Sequence, residues 1–192
     1  MLRLSRPEVD VTDEASIAAA AARIGPLDKV IVATGLLHDG AQEPEKSYRA
    51  LDAAALARSF TVNAIGPALV AKHFLPLLPR DRRAVFAALS ARVGSIADNR
   101  LGGWYAYRAS KAALNQLIRT LAVELRRTHP LAICVGLHPG TVDTRLSAPF
   151  QRGAADLFTP ERSATALLGV LGALTPEQSG RLWAWDGREI AP

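Results

Sequence analysis

The sequence predicts an α/β fold, a doubly wound parallel sheet with helices on both faces. Three observations predict it. First, short apolar runs rich in β-branched residues, Val30–Ala33, Ala84–Leu89 and Leu131–Leu137, alternate with long helical segments. Second, these runs lack the polar alternation of a half-exposed strand, so both of their faces should be covered. Third, Thr34-Gly35, Ser90 and Pro139-Gly140 each follow one of the runs directly. That is the end of the strands where open parallel sheets bind ligands.

Taken in order, Leu2 to Val11 reads as a short strand. Thr12 is expected to cap an alanine-rich helix that runs to Arg23 and stops at Gly25-Pro26. Val30–Ala33 is the first buried strand. Residues 36–51 hold turn formers and charges and read as a loop with a short helical turn. Asp52 can cap a long helix from Ala53 to Leu78, with an irregularity at Pro67, whose missing N–H breaks the helical ladder. Ala84–Leu89 is the next strand, and the loop after it ends in Gly102-Gly103. Ala109, Ala112, Ala113, Leu117, Leu121 and Leu125 keep helical spacing over Tyr105–Arg127. Leu131–Leu137 is a third strand and residues 141–158 a further loop. Thr159-Pro160-Glu161 opens a helix to Leu174, and Arg181–Trp185 is a last short strand.

The chain has 192 residues, enough for one domain, 1–192, with a sizeable core. It is 49% apolar and 21% charged, which excludes a disordered, collagen-like or coiled-coil chain. One cysteine, Cys134, allows neither an internal disulfide nor a cysteine-based zinc site and suits a reducing, cytoplasmic location. The net charge of +5 and pI of about 9.9 come mainly from scattered arginines, and no basic stripe is interleaved with aromatics, so nucleic acid is not an expected partner. The first ten residues lack an apolar signal core, and the apolar runs fall well short of the ~20 residues that span a bilayer, so no membrane is expected either. The four histidines lack metal-ligand spacing, and no metal is expected.

The chemistry centres on Tyr107-Arg108-Ala109-Ser110-Lys111. Tyrosine and lysine four apart on a helix share one face, ~40° from each other. A free phenol, with a pKa of ~10, is a weak acid–base group at neutral pH. A neighbouring ammonium favours phenolate and should lower that value, making tyrosine a general acid toward a carbonyl or a general base toward an alcohol. Asn63 interrupts an apolar stretch of the long helix, and a buried asparagine must find partners. Trp104 stands next to the tyrosine and can line a substrate pocket or pack in the core, as can Trp183 and Trp185. A serine–lysine acyl hydrolase built on Ser90 and Lys111 would need a nucleophile elbow, and the sequence has no G-x-S-x-G.

Together these residues resemble the short-chain dehydrogenase/reductase family. Tyr107 to Lys111 match its Y-x-x-x-K motif and Asn63 its helix asparagine. Val32-Ala33-Thr34-Gly35 stands where the family has N-N-A-G. Pro139-Gly140-Thr141-Val142-Asp143-Thr144 matches P-G-x-x-x-T, and Asp10-Val11 matches the acidic–aliphatic pair near the adenine ring. The wording around His38, Gly94 and Tyr107 is similar to the C-factor and sniffer-type carbonyl reductases.

The resemblance implies a Rossmann-like sheet and NAD(P)-dependent hydride transfer between a nicotinamide cofactor and a small carbonyl or alcohol substrate, with NADP preferred over NAD. Tyr107 would exchange the proton, and Lys111 would hold the nicotinamide ribose. Asn63 would hold a relay water, and a serine would hydrogen-bond the carbonyl. Asp10, Val11, Ala33, Thr34, Gly35, Tyr107, Lys111, Pro139, Gly140, Val142 and Thr144 would line the cofactor. The family also implies a homodimer or homotetramer.

Two departures stand out. Ala91 occupies the usual position of the catalytic serine, leaving Ser90 and Ser95 as substitutes; Ser90 is preferred because it follows the strand directly, although a neighbour on extended backbone faces the other way. The glycine-rich G-x-x-x-G-x-G loop is absent, together with the first strand–helix–strand unit, so the domain is expected to be N-terminally truncated. The sequence is then a fragment of a longer enzyme, a short form that pairs with another chain, or a non-catalytic remnant acting as a dimerising or signalling module.

Overall fold

The structure is a computed structural model and describes residues 2–39, 42–152 and 156–192. Its frame is a five-stranded sheet in the order β1 (Lys29–Val32), β2 (Ala84–Leu89), β3 (Ala132–His138), β6 (Leu182–Ala184), β7 (Glu189–Ile190). The first four are parallel, and β7 returns antiparallel to β6. Lys29 pairs with Val85 and Ala84 with Ala132, so β1, β2 and β3 end level at one rim.

Alternation along β2 sorts the core. Ala84, Phe86 and Ala88 face α1 (Glu14–Ala22), α3 (Gly66–Phe74) and α4 (Tyr105–Leu125). Val85 and Ala87 face α5 (Pro160–Ala173), whose Leu167, Val170 and Leu171 fill the opposite layer. The continuous apolar runs of β2 and β3 are thus explained, because neither strand has a solvent face; β1 departs from that expectation, since Lys29 and Ile31 on its other face are exposed.

The segment Leu2–Val11 is not a strand. It turns at Ser5, whose carbonyl accepts Glu8 N–H at 2.9 Å, and among the described residues no strand pairs with it. Its apolar residues Leu4, Val9 and Val11 pack on the core without a ladder, which Pro7 would in any case interrupt. Asp13, not Thr12, caps α1, accepting Ala15 N–H at 3.0 Å. Thr12 bonds back to Asp10 instead. Residues 36–51 form the expected loop, with a 3-10 turn at Tyr48–Ala50; positions 40 and 41 lie outside the described residues.

Asp52 caps α2 (Ala53–Phe60), accepting Ala55 N–H at 2.8 Å. The irregularity foreseen at Pro67 is a π-helical stretch, Thr61–Ile65, ending just before Pro67 takes a first-turn position of α3. Contrary to the reading of short apolar runs, Ala53–Leu77 is one 25-residue helical run with mean hydropathy 1.3, long and apolar enough by length and composition to cross a membrane. Asn63, Val70, Ala71 and Phe74 of that run are buried within the protein. In the 141–158 loop, β4 (Thr141–Val142) and β5 (Leu157–Phe158) form a small parallel pair that the sequence did not reveal. Thr159 caps α5 through Arg162 N–H, and Arg83 closes its other end by donating to the Leu174 carbonyl at 3.2 Å.

Candidate active site

Four segments meet at the rim: the turn after β1, the π stretch, the turn after β2, and the first turns of α4. Lys111 is 2% exposed, and its Nζ donates to the carbonyl of Leu89 at 2.7 Å and lies 5.8 Å from the Tyr107 ring centroid. One turn of helix brings both side chains to one face, as the spacing requires. A side chain added at Gly35 would meet Lys111 Nζ, Asn63 Oδ1 and Leu146 Cδ1, each at 3.7 Å. Gly35 therefore stands beside the amine and the amide, within ordinary van der Waals reach of both.

Asn63 is fully buried and satisfied. Its Oδ1 accepts Leu36 N–H at 2.7 Å, and its Nδ2 donates to the Leu36 carbonyl at 2.8 Å and to Ser110 Oγ at 3.0 Å. Ser110 Oγ donates in turn to the Tyr107 carbonyl at 2.9 Å. One amide thus ties the turn after β1 to the helix carrying the tyrosine. The π stretch is what turns it inward from its helix.

Burial decides the protonation of the pair. The Tyr107 phenol is pushed up to about 12, and the Lys111 ammonium is pulled down to about 8. The expected lowering of the phenol by the ammonium does not occur here, since desolvation of the phenolate dominates. At neutral pH the pair is a phenol O–H and an ammonium, both hydrogen-bond donors, the ammonium held by the Leu89 carbonyl.

The serines divide differently from the tyrosine. Ser90 Oγ donates to Asn115 Oδ1 at 2.7 Å, one turn beyond Lys111 on α4. Ser95 Oγ accepts Asp98 N–H at 3.1 Å. Among the described residues no hydrogen bond joins either hydroxyl to Tyr107. Ala91 leads into a 3-10 turn whose Gly94 seats directly against the backbone of Lys111.

Ala33, Thr34 and Gly35 are exposed at the rim. Pro139 is fixed by Ser163 of α5, whose Oγ donates to its carbonyl at 2.9 Å. Gly140 has φ of 77° and sits against Trp185 and Phe158, a position closed to other residues both by backbone and by space. Val142 belongs to β4, and Thr144 Oγ1 reaches its carbonyl at 3.4 Å. Asp10 and Val11 lie apart from the tyrosine. The Asp10 carboxyl accepts both donors of Thr12, which hold it below the ordinary range, and pairs with Arg6 at 2.9 Å. Val11 is buried against Gly66.

Several residues at the site escaped sequence reasoning. His38 Nε2 meets the Arg145 carbonyl at 3.1 Å, which draws the loop after β4 toward the turn after β1. Phe150 packs edge-on against His38 and Trp104, and Trp104 against Tyr107. Trp104 is thus the site tryptophan, whereas Trp183 is core. Only contacts between distant loops reveal these neighbours.

A family model described as short chain dehydrogenase matches residues 4–154. The chain is 41% identical over 140 residues to the C-signal of Myxococcus xanthus, covering 73% of this chain and 80% of that protein. Among solved structures, the carbonyl reductase Sniffer of D. melanogaster superposes with a TM-score of 0.83 at 27% identity, over 96% of this chain and 76% of that one. An NADPH-bound carbonyl reductase from chicken fatty liver superposes with a TM-score of 0.81 at 30% identity, over 96% and 75%.

Proposed function

The chain belongs to the short-chain dehydrogenase family, in its C-factor and sniffer-type branch, and from that premise we propose that it transfers a hydride between NADP(H) or NAD(H) and a carbonyl or alcohol on a small molecule. The observation carrying this reading is the convergence of Tyr107, Lys111, Asn63 and Gly35 at the strand-end rim.

The residues fit the nicotinamide side of such a cofactor. Gly35 and the cationic Lys111 beside it suit a ribose, and Ala33, Thr34, Pro139, Gly140, Val142 and Thr144 border it. No glycine-rich G-x-x-x-G-x-G turn for a pyrophosphate occurs in these 192 residues. When bound, the nicotinamide supplies or accepts the hydride. Tyr107 donates its proton to the substrate oxygen during reduction and takes it back during oxidation. Lys111, held by the Leu89 carbonyl, keeps positive charge beside the oxygen as charge develops there. Asn63 fixes the turn at Leu36 and, through Ser110, the backbone of Tyr107. Ser90, held by Asn115, makes the hydrogen bond to the substrate oxygen, and Ser95, held by Asp98 N–H, is the alternative. Trp104 and Phe150 border the substrate side.

Two copies pair through the 53–78 and 105–127 helices, where Ile65 and Val123 are half exposed, and a single buried thiol suits the cytoplasm. A second reading, a non-catalytic signalling module, is favoured by the C-signal relative.

Titrating the purified chain with NADPH and NADH, followed by nicotinamide fluorescence, separates the two. Micromolar binding with turnover that Tyr107→Phe abolishes supports the enzyme. Absence of binding favours the module, and turnover surviving Tyr107→Phe refutes the catalytic assignment.

A further inference from the structure

The helix that carries the tyrosine begins without a cap of its own. Its N-cap residue is Trp104, with φ of 52° and no side-chain hydrogen bond to the first turn. Gly102 and Gly103 before it are also left-handed, each with φ of 63°. A tryptophan in that region is costly unless its surroundings hold it there.

Glu45 does the holding, from a loop 61 residues before Ala106 in sequence. Its carboxylate Oε2 accepts Ala106 N–H at 3.2 Å, and its backbone carbonyl accepts Trp104 N–H at 2.5 Å. The side chain is 5% exposed, in a loop that otherwise reads as a solvated charge run. The fit is close on the backbone side too, since a Cβ on Gly103 would come within 3.4 Å of the Glu45 carbonyl. On the opposite side Arg108 Nε reaches the Gly103 carbonyl at 3.0 Å. A carboxylate at the start of a helix also faces the positive end of the helix dipole.

We infer that Glu45 is a positioning residue for Tyr107, standing in for the missing cap and fixing the residue immediately before the tyrosine. The inference rests on the proposed role of Tyr107 for its catalytic consequence, but not for its structural one. Other oxygens that accept at this helix start would do the same work, so the amide of glutamine should substitute and alanine should not.

The test compares Glu45→Ala and Glu45→Gln by amide hydrogen exchange at Trp104 and Ala106 and by steady-state kinetics with NADPH and a simple carbonyl. In Glu45→Ala, exchange at these amides should rise at least ~10-fold, and kcat should fall ~10- to 100-fold while KM for NADPH holds within ~2-fold. Glu45→Gln should stay within ~3-fold of the parent in all three. Unchanged exchange in Glu45→Ala overturns the inference, as does a Glu45→Gln variant that is folded by circular dichroism yet as impaired as the alanine. If Glu45→Ala does not fold, the parent decides: an unprotected Ala106 amide refutes the clamp. If the parent shows no turnover, the catalytic reading fails by itself while exchange still judges the clamp.

Discussion

Replacing Lys111 with methionine should remove a distinctive alkaline stabilisation. Burial pulls the Lys111 ammonium down to about 8, against 10.5 for a free lysine. Between those values the unfolded chain binds a proton that the folded chain has released, so stability rises with pH across the window. At ~1.36 kcal/mol per pH unit the full gain approaches ~3 kcal/mol, most of it reached by pH 10. Above pH 10 the sign reverses for Tyr107. Its folded value of about 12 means the unfolded chain ionises first, so stability is lost as pH rises further. Urea unfolding of parent and Lys111→Met at pH 7, 8, 9 and 10 gives two curves of stability against pH. The parent should gain ~2–3 kcal/mol over the variant between the ends of that range, and groups common to both cancel. Parallel curves would refute the claim that this amine sits desolvated against the Leu89 carbonyl.

Other substitutions probe the supports. Gly94→Ala should cost ~1–3 kcal/mol in thermal or urea unfolding, because the new Cβ would lie 2.8 Å from Lys111 Cβ and 2.9 Å from its carbonyl carbon; an unchanged midpoint would contradict that close seat. Asn63→Ala strands both backbone groups of Leu36 and should cost ~1–3 kcal/mol, with faster amide exchange at Leu36 as its local sign. Asp52→Ala should cost ~1 kcal/mol by loss of the α2 cap, measured by the same unfolding series.

The parallel sheet was readable because Ala84–Leu89 and Leu131–Leu137 are apolar on both faces, a pattern few other settings demand. The tyrosine–lysine pair was readable because helical spacing alone puts the two on one face. The segment 2–11 was misread because a strand is defined by its neighbour, and nothing within those ten residues supplies one. Asp13 displaced Thr12 as a cap through a one-residue shift that local propensity does not resolve. Glu45, His38 and Phe150 were invisible because they act across loops, where neither periodicity nor spacing carries information. The depressed phenol was a fair expectation from charge alone; burial, which sequence cannot weigh, reversed it.

The five residues Thr61–Ile65 wind wider than the turns around them. Such a bulge holds one residue more than a regular helix of the same rise. Deleting a single residue there would close the bulge into regular α-helix, with the flanking turns still in register. Asn63 would then point its amide away from Leu36, and the chemistry at the rim would lose its reference point although no site residue had been replaced. A site of this kind tolerates substitution around it far better than it tolerates a change in count.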